Sequence, residues 1–190
     1  RPEPRVLSCE IMSARTQPPV AEPSVGREPE AGNYFVAAYP PFSCWETTRV
    51  PALHEALNQP PSAEPLGLYV HVPFCQSLCT FCGCNMRLAR NHALAGPYVN
   101  HLLQEFGLYR QRLAFAQLTL GELHLGGGSP TYLPADALDR LLDGILQHCS
   151  IGADADLAIE VDPRNTTREQ LQVLRRHGFH RLSIGVQDFD

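Results

Sequence analysis

The 190-residue chain contains no lysine, and all 15 of its basic side chains are arginine. A P-loop needs a lysine beside the bound phosphates and a Schiff-base enzyme needs a lysine amine, so both sites are excluded within these residues. The GxSxG turn of serine hydrolases is missing as well. The chemistry of this chain therefore has to come from other side chains.

Long apolar runs and an excess of positive charge are also absent. No stretch of about 18 apolar residues occurs, so we expect no helix to span a membrane. No basic segment followed by an apolar one opens the chain, so no secretory signal is visible and we expect a cytoplasmic protein. The net charge of −5 and the pI of about 5.9 argue against a nucleic-acid-binding surface. We therefore expect neither a membrane nor a nucleic acid as a partner.

Four of the seven cysteines lie within ten residues, with the spacing C-x3-C-x2-C-x-C, directly after the apolar stretch 68–74. Without an export signal, metal or redox chemistry is favoured over disulfide bonds. Three thiolates on one short loop can hold three irons of a [4Fe–4S] cluster and leave the fourth iron open to a small molecule. The cysteines of this loop are Cys75, Cys79, Cys82 and Cys84.

Other uses of the cysteine loop stay open from the residues alone. A structural zinc site needs four ligands, commonly as two separated C-x2-C pairs, and one short loop fits that arrangement poorly. A closed electron-transfer cluster usually takes its fourth ligand from further along the chain, where Cys9, Cys44 and Cys149 are the candidates. We expect Cys84, which follows Gly83, to point away from the cluster, and Cys149 to pack in the core at the end of a helix.

Composition divides the chain near residue 65, because 12 of the 17 prolines lie within residues 1–65. Residues 1–31 are predicted to be disordered or linker-like, and residues 32–65 to form an N-terminal arm with aromatic side chains and a short helix at 50–59. Residues 66–190 are predicted to form the folded core. The chain begins without methionine and stops after a strand-like run, which predicts a partial sequence.

The core alternates between strand and helix patterns, which predicts an α/β fold of parallel strands with right-handed crossovers. Thr166 and Glu169 are predicted to form the capping box of the last helix, and Gly178 its C-terminal glycine. The predicted strands are residues 66–72, 119–125, 156–161 and 179–186, and the predicted helices are residues 97–115, 134–149 and 167–177.

Chemistry in parallel α/β folds gathers at the carboxyl ends of the strands. The cysteine loop follows the first strand, the glycine run 126–128 follows the second, Glu160 ends the third and Gln187 ends the fourth. A tight turn would also explain the glycines, and a helix cap or loop acid would explain Glu160. We expect His71 and His124 to be hydrogen-bonded core histidines. The convergence of four strand ends is the main prediction of a site.

Four motifs in this order resemble the radical S-adenosylmethionine (SAM) proteins, and within them the oxygen-independent coproporphyrinogen III oxidase family. The motifs are the cysteine loop, GGGSPTYL at 126–133, IEVDP at 159–163 and SIGVQDF at 183–189. The aromatic segment 34–45 is weakly similar to that family's N-terminal arm. The resemblance implies a partial (β/α)6 barrel with about four parallel strands present, preceded by the Pro-rich, mostly irregular arm.

The same resemblance implies roles for individual residues. Cluster ligation would fall to Cys75, Cys79 and Cys82, and SAM would chelate the open iron through its amino and carboxylate groups. Cys84 matches an extra cysteine that is not a ligand, and it is the candidate catalytic residue near a second SAM. The positions that match contacts to the first SAM are Tyr69, Phe81, Gly127 and Glu160. The positions that match contacts to a second SAM are Gly128, Ser129, where the family often has threonine, and Gln187.

The implied activity is the oxidative decarboxylation of two propionates of coproporphyrinogen III to vinyl groups, giving protoporphyrinogen IX. An electron from the cluster would cleave SAM, and the resulting 5′-deoxyadenosyl radical would take a hydrogen atom from the propionate β-carbon. A monomer with an unidentified electron donor and acceptor is expected, and this chain alone is expected to be incomplete as an enzyme. Two alternatives are a haem chaperone of the same family and a radical SAM methylase or cyclopropanase. Cys84 favours the oxidase, because chaperone-like relatives usually carry phenylalanine there.

Overall fold

The computed structural model describes residues 5–7, 11–12, 51, 55, 65–79, 82–113 and 118–185. Residues 51 and 55 are helical, within the segment predicted as a short helix; the remainder of that segment and the aromatic segment 34–45 lie outside the described residues. The strands are β1 (Arg5–Leu7), β2 (Ile11–Met12), β3 (Leu66–Val72), β4 (Phe74–Cys75), β5 (Arg87–Leu88), β6 (Leu118–Gly127), β7 (Cys149–Val161) and β8 (Arg181–Ile184). The helices after residue 65 are α1 (Ala95–Leu113), α2 (Ala135–Leu146) and α3 (Arg168–Arg176).

One sheet with the strand order β2-β1-β3-β6-β7-β8 organises the described part of the chain. Strands β3, β6, β7 and β8 pair in parallel in chain order, which confirms the predicted α/β fold with four parallel strands. β1 adds a further parallel strand beside β3, and β2 pairs with β1 antiparallel. β1 and β2 lie within residues 1–31, the segment predicted to be disordered or linker-like, and they are too short to produce an alternating pattern in the sequence.

The two faces of the sheet differ because successive side chains of a strand point to opposite sides. In β6, Leu123 and Leu125 are fully buried in the core shared with the helices, whereas His124 between them is only half-buried. In β3, Leu68 and Val70 belong to the same core and Tyr69 does not. The helices therefore cover one face of the sheet, and the opposite face carries the polar side chains.

The connections confirm most predicted elements and correct two of them. Cys149 begins β7 rather than ending a helix, and burial raises the pKa of its thiol to about 11. The strand was predicted only over residues 156–161, because the small and acidic residues in the first half of β7 give no apolar pattern. The capping box of α3 is formed by Thr167 and Gln170, one residue later than predicted, because the Thr166 hydroxyl is bonded to the Asp162 carbonyl instead. Gly178 follows α3 with a φ of 83°, as predicted.

No helix within the described ranges is long and apolar enough to cross a membrane.

Candidate functional site

Backbone hydrogen bonds connect the glycine run to the residues just before the cysteine loop. Beyond the ends of β3 and β6, Gly128 N–H donates to the Val72 carbonyl at 2.8 Å and Ser129 N–H donates to the Phe74 carbonyl at 2.9 Å. On the other side of the same segment, Ala89 N–H donates to the Cys75 carbonyl at 2.9 Å. Cys75 is therefore anchored from both sides, and its place in the fold is fixed by backbone pairing.

Two of these glycines are required by close approach. A Cβ on Gly128 would lie 2.7 Å from the Pro73 carbonyl oxygen and 2.9 Å from Cys75 Sγ. Gly127 has a φ of 117°, and a Cβ there would lie 2.7 Å from the ring of His71. Both positions exclude any side chain, so the glycine run lets one loop lie directly against the other.

The four loop thiols lie within electrostatic range of one another. Cys75 and Cys79 are half-buried, and Cys82 and Cys84 are exposed. Burial raises the pKa of Cys75 above its ordinary value, and the neighbouring thiols Cys82, Cys79 and Cys84 raise it further. A bound metal reverses this effect, because metal ions hold cysteine as thiolate. A set of soft sulfur donors suits zinc or an iron–sulfur cluster.

The prediction that Cys84 points away from the cluster stays a prediction, although its thiol lies close to that of Cys82. Burial raises the pKa of the Cys84 thiol above its ordinary value, and the neighbouring Cys82 thiol raises it further. Cys84 is therefore next to the proposed ligands, and Glu160 lies close enough to raise its pKa as well.

Glu160 reaches the glycine run from the end of β7. Its Oε2 accepts a hydrogen bond from Gly127 N–H at 3.1 Å, and its Oε1 lies 3.5 Å from Nε2 of His124. The carboxylate is therefore held over the glycine run rather than capping a helix. It keeps 42% of its side chain exposed on the polar face of the sheet, where a ligand can reach it.

Tyr69 and His71 connect the polar face to the end of the cysteine loop. His71 Nε2 lies 2.9 Å from the carbonyl oxygen of Asn85, so this nitrogen carries the proton. Nδ1 then accepts the Tyr69 hydroxyl proton over 3.1 Å. Both His71 and His124 are hydrogen-bonded as predicted, but they lie half-buried on the polar face and not in the core.

Arg164 is a site residue that the sequence did not reveal. Its guanidinium donates two hydrogen bonds to the Asp162 carboxylate, from Nε at 3.0 Å and from Nη2 at 2.8 Å, and the pKa of Asp162 is lowered mainly by this partner. The pKa of this guanidinium is raised mainly by Asp162 and, to a smaller extent, by the nearby Cys79 side chain. A cation is therefore held beside a loop sulfur. The only signal in the sequence is an arginine directly after the strand-end motif.

Histidine 92 forms a second unpredicted link, between the cysteine loop and the GGGSPTYL run. His92 Nδ1 donates to the Tyr132 carbonyl at 2.8 Å, and Nε2 accepts from the Gln76 amide at 3.1 Å. Its ring also stacks on the Tyr132 ring, with centroids 4.8 Å apart. The residue after Cys75 is thereby tied to the end of the glycine-run loop.

The predicted residues are brought together as far as the structure describes them. Ser129 lies at the end of the glycine run, with its hydroxyl 3.4 Å from that of Thr131. Buried Gln170 fixes this loop by donating two hydrogen bonds at 2.7 Å, to the carbonyls of Thr131 and Leu133. Phe81, Gln187, Cys9 and Cys44 lie outside the described residues.

Comparison with known families identifies the class of protein that this fold and site define. The sequence model of the radical SAM superfamily matches residues 69–190, which include the cysteine loop, the glycine run and Glu160. The chain belongs to the radical SAM superfamily. The predicted cofactors of this class, a [4Fe–4S] cluster and SAM, are thereby confirmed.

Several relatives share one name. The chain is 47% identical over 126 residues to the oxygen-independent coproporphyrinogen III oxidase of Escherichia coli strain K12, covering 66% of this chain and 27% of that protein. It is 36% identical over 140 residues to the enzyme of the same name from Pseudomonas aeruginosa, covering 73% and 30%.

A solved structure supports the same relationship. Coproporphyrinogen III oxidase from Escherichia coli, a radical SAM enzyme, aligns with a TM-score of 0.66 and 42% identity, covering 74% of this chain and 32% of that one. The chain thus spans about a third or less of the length of the relatives it matches.

Proposed function

We propose that the protein is an oxygen-independent coproporphyrinogen III oxidase that converts two propionates of its substrate to vinyl groups, giving protoporphyrinogen IX. The observation that carries this proposal is the convergence of three strand ends. The cysteine loop, the glycine run and Glu160 meet within hydrogen-bonding distance of one another. The shared name of the relatives supports the choice of substrate and reaction.

Cys75, Cys79 and Cys82 are the proposed ligands of the [4Fe–4S] cluster. Their sulfurs are the soft donors that such a cluster takes, and the glycine at 128 leaves the space beside Cys75 that a side chain would fill. When bound, the cluster supplies one electron and SAM supplies the radical that takes a hydrogen atom from the substrate propionate. The protein holds the three thiolates on one loop and places the donors around them.

The first SAM is proposed to lie over the polar face of the sheet, in contact with Tyr69, Phe81, Gly127 and Glu160. One Glu160 oxygen is held by Gly127 N–H, so the remaining lone pairs of the carboxylate are free to accept from ribose hydroxyls. Gly127 keeps its backbone close to the ligand because it has no side chain. We propose that these residues orient the cofactor.

A second SAM is proposed beside Gly128, Ser129 and Gln187. Serine keeps the hydroxyl that threonine supplies in many relatives, and its link to Thr131 restrains that hydroxyl at the loop surface. Cys84 is the candidate catalytic residue near this cofactor. Its exposure, and the effect that both Cys82 and Glu160 have on its pKa, support this assignment.

The remaining partners are proposed on general grounds. A reducing cytoplasm keeps the loop thiols available for a cluster, and the net charge of −5 disfavours nucleic acid. We propose a monomer that takes electrons from a separate donor and passes one to a separate acceptor. No membrane contact is included in the proposal.

An anaerobic turnover assay of the reconstituted whole protein tests the function. Protoporphyrinogen IX formed from coproporphyrinogen III, with loss of CO2 and consumption of SAM, is the expected result. Glu160→Gln should lose most of this activity, and Asp154→Asn, an exposed acid elsewhere in β7, should keep it. Stable haem binding without turnover would indicate the haem chaperone alternative. Methyl transfer from SAM to an acceptor would indicate the methylase alternative.

A further inference from the structure

His124 lies on the central strand between the two side chains proposed to hold the first SAM. Its Cα pairs with Tyr69 on β3 and with Ala158 on β7, two residues before Glu160. Because side chains alternate along each strand, Tyr69, His124 and Glu160 project from the same face. The sheet register alone therefore places His124 between a tyrosine and a carboxylate.

The imidazole of His124 contacts both neighbours. Its ring stacks on the Tyr69 ring with centroids 5.7 Å apart and an interplanar angle of 16°. Its Nε2 lies 3.5 Å from Glu160 Oε1, a long hydrogen bond, while the other Glu160 oxygen is held by Gly127 N–H at 3.1 Å. The carboxylate is therefore restrained at both oxygens, and His124 provides the restraint on the side of Tyr69.

The space beneath these side chains is filled. A Cβ on Gly126, two residues after His124, would lie 3.0 Å from Glu160 Oε1 and 3.0 Å from the Tyr69 hydroxyl oxygen. Tyr69 and Glu160 thus converge over bare backbone and cannot move closer to it. Only 21% of the His124 side chain is exposed, so its ring is packed between its neighbours.

We propose that His124 is a positioning residue for the first SAM: its ring supports Tyr69, and its Nε2–H directs the Glu160 carboxylate toward the ligand. This inference rests on the proposed function, because it needs Tyr69 and Glu160 to contact SAM. His124 itself is not proposed to contact SAM; it acts through Tyr69 and Glu160. Loss of the Nε2–H should leave Glu160 Oε1 unrestrained, with only Oε2 held by Gly127 N–H, and should weaken SAM binding.

Two substitutions separate the contributions of the ring and the donor. His124→Phe keeps an aromatic ring against Tyr69 but removes the N–H, and His124→Gln keeps an N–H donor without the ring. His101→Gln is the matched control, since His101 is an exposed histidine of α1. Iron content and the thermal unfolding midpoint establish that each variant holds its cluster and is folded.

SAM affinity of the anaerobically reconstituted whole protein is then measured by titration calorimetry, with the EPR line shape of the reduced cluster as a second signal. We expect His124→Phe to raise the SAM dissociation constant by roughly tenfold, His124→Gln to recover it to within about threefold of the wild-type value, and His101→Gln to change nothing. If His124→Phe loses its cluster, the inference is tested by the SAM dissociation constant of His124→Gln alone. A value within about threefold of wild type supports the inference, and a tenfold rise overturns it.

The two proposals fail in different ways. Wild-type protein that binds a cluster but not SAM would overturn the proposed function and this inference together. Wild-type protein that binds SAM, with a folded His124→Phe variant of unchanged affinity, would overturn only the role of His124.

Discussion

A Cβ atom on Gly128 would lie 2.9 Å from Cys75 Sγ, so the glycine run and the first cysteine of the loop are in direct contact. This contact links two motifs whose residues, Cys75 and Gly128, are 53 positions apart in the chain. It explains why a glycine is needed there: a side chain would displace the sulfur or the Pro73 carbonyl.

Gly128→Ala should therefore impair assembly of the cluster. The methyl group meets backbone atoms that cannot rotate away, so we expect the iron content after anaerobic reconstitution to fall several-fold. Gly107→Ala is the matched control, because a Cβ there meets nothing within 4 Å in the middle of α1. It should keep full iron content and stabilise the protein by about 0.5–1 kcal/mol. Equal iron content in both variants would contradict the steric account.

Arg164 should raise the reduction potential of the cluster. A cation close to a ligand sulfur stabilises the reduced, more negative state, and Cys79 lies near enough to raise the pKa of the Arg164 guanidinium after the larger effect of Asp162. We expect Arg164→Gln to lower the ratio of reduced to oxidised cluster at a fixed potential by roughly tenfold, which is 59 mV for a one-electron couple. Arg175→Gln, at an exposed arginine of α3, is the control. An EPR-monitored redox titration with unchanged potentials would show that Arg164 serves only Asp162.

The thiols of the cysteine loop should be alkylated more readily than the buried thiol of Cys149. In the apoprotein, iodoacetamide at neutral pH should label the loop cysteines but not Cys149, whose pKa of about 11 leaves almost no thiolate. In the reconstituted protein, Cys84 alone should be labelled within the loop, because Cys75, Cys79 and Cys82 are proposed to bind iron. Peptide mass spectrometry reads out each site. Protection of Cys84 with labelling of another loop cysteine would revise the ligand set.

Protonation of Asp139 should make the folded protein less stable in acid. His177 Nε2 donates to Asp139 Oδ1 at 2.7 Å and joins α3 to α2, and this bond is the main reason why the pKa of Asp139 lies below its ordinary 3.8. A lowered carboxyl pKa stabilises the folded state above 3.8, and this contribution is lost as the pH falls through the lowered value. Asp139→Asn should reduce the unfolding temperature at pH 6 and reduce it less at pH 3. Asp154→Asn should show no such difference, and equal losses at both pH values would contradict the linkage.

The sequence predicted those features that depend on nearest neighbours and periodicity. β3 matches its predicted bounds, and α2 begins one residue from its predicted start, because both carry clear apolar patterns. The convergence of the cysteine loop, the glycine run and Glu160 followed from parallel strand order alone. The register shift in the pairing of β6 with β7, between Leu120 and Glu122, was not predictable because it produces no periodic pattern in the sequence.

Contacts between distant segments were not predictable in the same way. The pairing of Arg164 with Cys79 and of His92 with Gln76 depends on how two loops meet, and neither loop has a periodic pattern. The closeness of Cys84 to Cys82 was not predictable, because the course of the chain after Gly83 cannot be read from residue types. His124 was assigned to the core because burial and the polar face of a sheet give the same strand pattern.

The most direct test of the account is the EPR spectrum of the anaerobically reconstituted, dithionite-reduced whole protein, recorded with and without SAM. The account predicts a [4Fe–4S]+ signal that changes when SAM is added, because one iron lacks a cysteine ligand. A cluster signal indifferent to SAM, or bound zinc with no cluster, would contradict it.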